Sequence, residues 1–194
     1  MKSKSALSVS SFILVVFFII TAVLIHFLKR DLNVAFYPLS LYAVGKCGGI
    51  LVAGLLAIGL AEMLIAISLY QKTALSRLPA LCLFIAGTGV ITVAVFQMDY
   101  TGTRTITGAL HLLGAAVQFV SFPVAVFLYS FDVKNRAMKS YSRMTSVATF
   151  ILLIAIACIL IFDMTEEIGI YGLIQKTDIF FISVWLLIAA LYRE

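Results

Sequence analysis

Phe96-Gln-Met-Asp-Tyr-Thr-Gly-Thr-Arg-Thr-Ile-Thr-Gly-Ala-Leu-His111 is the stretch that decides the fold. It is a short polar turn between two apolar runs, Leu78 to Met98 and about Ile106 to Ser130. A helix needs roughly 20 mainly apolar residues to cross a bilayer, and each run meets that length. Runs joined by so few polar residues must lie side by side and antiparallel. The reading is a transmembrane hairpin. Composition agrees: the chain is 63% hydrophobic and 12% charged, whereas a soluble domain is about one-quarter charged.

Moving outward, the second span runs over about 48–70 and is joined to the hairpin by the polar turn Gln71 to Arg77. Gly49, Ala53, Ala57 and Ala61 recur four apart along it, a spacing that lets helices approach closely in lipid. The first span, about 9–27, follows a basic lead with Lys2 and Lys4. Its apolar run exceeds a signal-peptide core, and no small-x-small cleavage site follows, so it reads as an uncleaved helix. Asp31 to Lys46 is aromatic and carries Pro38, which suits a segment lying at headgroup depth over the bundle.

Beyond the hairpin, Pro123 marks an expected kink, and 132–143 reads as a basic loop with Lys134, Arg136, Lys139 and Arg143. The fifth span covers about 144–162. The last apolar run, Ile179 to Tyr192, is too short alone, so the sixth span is taken as 172–192. That choice carries Gln175, Lys176, Thr177 and Asp178 into the bundle's outer turns. The expectation is an all-α, polytopic six-helix transmembrane bundle forming one domain over 1–194.

Six spans put both termini on one side. Lys2, Lys4, Lys72, Arg77, Lys134, Arg136, Lys139, Arg143 and Arg193 share that side; Lys29, Arg30, Lys46, Arg104 and Lys176 do not. The richer side is expected to be cytoplasmic, which turns Asp99, His111 and Lys176 outward. The same clustering accounts for the net charge of +5 without a nucleic-acid partner. Cys47, Cys82 and Cys158 lack any CxxC spacing and read as small apolar fillers.

Ionisable residues near a membrane need partners or a task. Asp99 is read at the end of the third helix, where backbone carbonyls disfavour a carboxylate unless Arg104, His111, Lys176 or a cation compensates. The plainer reading is a type I turn over Asp-Tyr-Thr-Gly, 99–102. His111 falls in the first turns of the fourth helix, where the dipole favours neutral imidazole, a base or hydrogen-bonding group. Asp99 and His111 at one depth form a candidate acid/base pair. Glu62 lies inside the second span, either as a station on a proton or cation path or as a hydrogen-bonded core acid. His26 and His111 are the minimum set for bis-histidine haem, and no further ligand signal supports a cofactor or metal. No GxSxG, Walker-type loop, HExxH or dinucleotide-binding glycine pattern stands in a suitable context.

Ala94-Val-Phe-Gln-Met-Asp99, followed by His111-Leu-Leu, resembles the signature of domain-of-unknown-function family 998. Pro38-Leu-Ser-Leu-Tyr-Ala-Val-Gly45, Phe122-Pro-Val-Ala, and Gly172-Leu-Ile-Gln-Lys176 with Trp185 extend the resemblance along nearly the whole chain. It implies a small prokaryotic cell-membrane protein with six spans. Two positions depart from the family pattern. Phe96-Gln97 stands where Phe-Pro is usual, and Gln175-Lys176 stands where Glu-Arg is usual, which removes a carboxylate and a bidentate guanidinium.

Together these residues point to an outward-facing polar pocket for a lipid-like or small amphiphilic ligand. Asp99 and His111 stand at its polar end, with Lys176, Arg104, Ser40 and Gln175 as expected contacts. The rival readings are a small proton- or cation-coupled transporter using Glu62 and Asp99, and a packing partner that forms homo-oligomers through the second span's small-residue face.

Overall fold

The computed structural model describes residues 6–72, 75–99, 104–162 and 164–192, apart from the Glu166 side chain. Its helices are α1 (Ala6–Leu28), α2 (Gly48–Tyr70), α3 (Arg77–Val95), α4 (Ile106–Asp132), α5 (Arg136–Ile161), the short α6 (Thr165–Ile168) and α7 (Tyr171–Leu191), with a 3-10 turn at Leu39–Ala43. All but α6 are long and apolar enough to cross a membrane. Each of the six packs on its neighbour in sequence, and α7 returns to α1. The result is a closed ring of helices. Large apolar residues such as Ile13, Phe17, Ile20, Leu112 and Leu113 face outward, where lipid rather than water solvates them. The protein is a multi-pass membrane protein. The end carrying the α3–α4 connection is called the upper end below.

Helix ends follow caps rather than hydropathy. Asn135 accepts a hydrogen bond from Met138 N at 3.1 Å, and α5 therefore starts at Arg136. Most of the expected basic loop is thus the first two turns of a helix. Thr105 caps α4 by accepting from Gly108 N at 3.0 Å. At the other arm, α3 stops at Val95, three residues before Met98. Pro123 lies inside continuous α4, and its carbonyl accepts from Ser146 Oγ at 2.8 Å.

The close approaches within the ring are made at glycines. A Cβ on Gly87 would stand 2.7 Å from the Gly59 carbonyl oxygen, so α2 and α3 meet backbone to backbone. Gly89 meets the Gly114 carbonyl of α4 in the same way, also at 2.7 Å. The four-residue stripe of α2 is divided: Ala57 and Ala61 are buried, whereas Gly49 and Ala53 are exposed.

The connection between α1 and α2 lies over the upper end and is tied to α7. Gly172 N donates to Phe36 O at 3.1 Å and Leu173 N to Ala35 O at 2.9 Å. These are two of the four orphan donors that every helix start exposes, and α7 has no side-chain cap to take them. A side chain at Gly172 would collide with the Tyr37 carbonyl. Lys176 Nζ donates to Val34 O at 2.8 Å and Tyr37 O at 2.5 Å. Leu39 N donates to Gln175 Oε1 at 2.8 Å.

Gly87→Val should lower the stability of the purified protein by about 2–4 kcal/mol, because backbone on the facing helix cannot move aside as a side chain would. Thermal unfolding followed by far-UV circular dichroism checks this. Gly49→Ala, whose added carbon meets nothing within 4 Å, should leave the transition unchanged.

Candidate functional site

The first turn of α4 sets the upper polar cluster. Asp99 accepts from Thr105 N at 3.0 Å and Thr105 Oγ1 at 2.6 Å. Its carboxylate lies over Gly108, where any Cβ would strike both oxygens. Glycine at 108 is therefore what admits the acid. Because α3 ends early, Asp99 stands at the positive end of α4 instead of the negative end of α3, and the dipole argument reverses in its favour. The two Thr105 hydrogen bonds hold its carboxyl below the usual value. The expected turn over 99–102 runs into residues 100–102, which lie outside the described part of the chain.

His111 is buried and uses Nδ1 on the Phe96 carbonyl at 2.8 Å. A carbonyl only accepts, so Nδ1 carries the proton and Nε2 of a neutral ring keeps its lone pair. Phe96 is the C-cap of α3, so the imidazole braces one hairpin arm against the other. Asp99 and His111 line one cavity but are not hydrogen bonded to each other. The group that orients the imidazole is the Phe96 carbonyl.

That upper cavity has a volume of about 690 Å³; its polar lining includes Ser40, Asp99, Arg104, Thr105, His111 and Gln175. Beneath it lies a chamber of about 60 Å³ at the centre of the ring. Phe18, Leu55, Ile58, Val90, Phe119 and Ile182 give the chamber apolar walls. Ser40, His111, Ala115 and Gln175 border both spaces. Lys176 borders neither: its ammonium sits on the carbonyls of the α1–α2 connection and 5.1 Å from the Tyr42 ring centre.

Gln118, which the sequence reading did not single out, also lines the chamber. It donates through Nε2 to Glu62 Oε1 at 2.8 Å, and Glu62 has no exposed surface. This bond crosses from α2 to α4 beside the glycine notch of α3. The missed signal was a spacing of seven from His111, which puts both on one helix face. Among the described residues, Glu62 Oε2, Gln118 Oε1 and both carboxyl oxygens of buried Asp178 have no hydrogen-bond partner. His26 bonds to Ala22 O at 2.6 Å, stacks on Tyr42 and borders neither cavity. Among the described residues, no group of three or more His, Cys, Asp and Glu is placed to hold a metal ion.

Residues 12–192 match the family described as protein of unknown function, DUF998, and the chain belongs to that family. No curated protein and no solved structure matches the chain.

Two measurements follow from this geometry. The Thr105 bonds favour ionised Asp99, so its contribution is present above the unfolded carboxyl value near 3.8 and is lost as pH falls through the lower folded value. The melting-temperature gap between wild type and Asp99→Ala should therefore be flat from about pH 7 to 5 and close below about pH 4. For the inner pair, a double-mutant cycle on Glu62→Met and Gln118→Met should give a coupling of about 1 kcal/mol, the size of a hydrogen bond between membrane helices.

Proposed function

We propose that this protein binds a lipid-like or small amphiphilic molecule within the prokaryotic cell membrane. The polar end of the ligand occupies the upper cavity and an apolar portion enters the central chamber. The observation that carries this reading is the shared border of Ser40, His111, Ala115 and Gln175. It joins a wide, polar-edged space to a narrow apolar one, and that gradient is what an amphiphile matches. Ligand contact falls to Ser40, Arg104, Thr105, His111 and Gln175. Asp99 holds the start of α4, and Lys176 fastens the cover above the cavity.

Should the bound molecule react, His111 is the proton-transfer group. Its Nδ1 is committed to Phe96, which directs Nε2 as the base in the neutral ring. The reading needs no metal or haem.

Native mass spectrometry of the protein released from membranes tests the proposal. Wild type should carry a co-purified amphiphile of defined mass. Ala115→Leu, which narrows the junction between the two spaces, and His111→Ala should each reduce its occupancy by about tenfold or more. Unchanged occupancy in both folded variants would refute the reading.

A further inference from the structure

The lower end of the ring carries a second feature, distant from the upper cavity. Among its described residues, Lys72, Arg77, Lys134, Arg136, Lys139 and Arg143 face a single acid, Asp132. Asp132 is held by a hydrogen bond from Ser76 Oγ, and Ser76 is fully buried. That bond fixes the start of α3 and hence the root of the next residue, Arg77. The Arg77 guanidinium stacks 5.5 Å from the Tyr70 ring centre. Among the described residues it meets no carboxylate.

Arg77 and Tyr70 stand at the mouth of a groove of about 690 Å³ between α2 and α3. The wall above them is apolar: Ala66, Ile67, Leu81 and Phe84. From Arg77 to Phe84 it extends about 10 Å along α3, at 1.5 Å per residue. The two helices touch through Gly59 and Gly87 further up, and crossing helices part on moving away from their point of contact. Leu78, Leu81 and Phe84 keep 56%, 54% and 40% of their surface exposed, so the groove opens sideways to lipid.

We infer that this groove is a binding site for one anionic phospholipid of the leaflet at the lower end, its phosphate on Arg77 and an acyl chain along Leu81 and Phe84. A guanidinium that meets no carboxylate among the described residues can bind a phosphate in two-point geometry. The stacked Tyr70 ring limits its rotamers, so less freedom is lost on binding. Charge decides the headgroup class: six basic residues against one engaged acid attract an anionic lipid and give a neutral one no comparable gain.

The full chain, purified in detergent, is titrated with dioleoyl phosphatidylglycerol or dioleoyl phosphatidylcholine, and bound lipid is counted by native mass spectrometry. Wild type should bind the anionic lipid several-fold more tightly. Arg77→Ala and Arg77→Gln should each cut that preference about fivefold, the worth of one basic residue at a membrane surface. Arg136→Ala, on the same end but outside the groove, should change it less than Arg77→Ala does, because its charge reaches a phosphate on Arg77 only through screening solvent. Leu81→Trp, which fills the wall, should lower occupancy without reversing the preference. Absence of preference in wild type overturns the site. So does an equal loss in Arg77→Ala and Arg136→Ala, which would assign the effect to the general positive field. His111→Ala should leave the preference intact, so this inference and the upper-cavity reading fail separately.

Discussion

An unpaired peptide group in hydrocarbon costs several kcal/mol, and that cost governs how the ring closes. The first turn of α7 offers N–H groups with no side chain to receive them, and the α1–α2 connection offers carbonyls with no strand or helix partner. Each supplies what the other lacks, through Phe36 with Gly172 and Ala35 with Leu173. Pairing them seats α7 beside α1 and lays the 3-10 turn across the upper end. Gln175 and Lys176 extend the seam by one helical turn. The cover over the central chamber is therefore part of the backbone hydrogen-bond system.

This arrangement also explains why Gly172 and the aromatic connection belong together. The connection approaches α7 along its backbone, and only a residue without Cβ leaves the Tyr37 carbonyl room. Tyr42, fully buried, donates to Leu32 O at 3.2 Å and stacks on His26. An apolar, aromatic segment that would be costly as a free loop is instead the underside of a cover. Its carbonyls at Val34, Ala35, Phe36 and Tyr37 turn down onto α7.

Hydropathy alone was enough to mark six spans, since a run of apolar residues near bilayer length has few other uses. Depth was also legible: a short turn had to bring Asp99 and His111 to one level. Their partners were not. Asp99 binds Thr105 because α3 ends at Val95, and periodicity locates a helix far better than it locates its last turn. The Lys176 contacts join residues more than a hundred positions apart, so nothing near Lys176 records them. Gln118 escaped notice because one amide in an apolar helix reads as tolerated polarity. Its weight comes from Glu62, which lies on a helix that does not adjoin α4 in the ring.

A binding chamber, as proposed above, and a conduction path place different demands on these partners. A path needs polar groups that can exchange partners all the way to the lower end. Below Glu62 and Gln118, several buried hydroxyls are already engaged. Ser142 accepts from Trp185 Nε1 at 3.0 Å, Ser146 donates to Pro123 O at 2.8 Å, and Thr149 donates to Thr145 O at 3.0 Å. These groups satisfy local backbone acceptors and one ring donor, which fixes them as packing elements. Leu83, Val126 and Leu186 fill this lower part of the core with no exposed surface. Polarity thus descends from the upper end as far as the Glu62–Gln118 pair and then gives way to packed apolar volume. The central chamber is therefore bordered above by residues shared with the upper cavity and shut below by packed side chains.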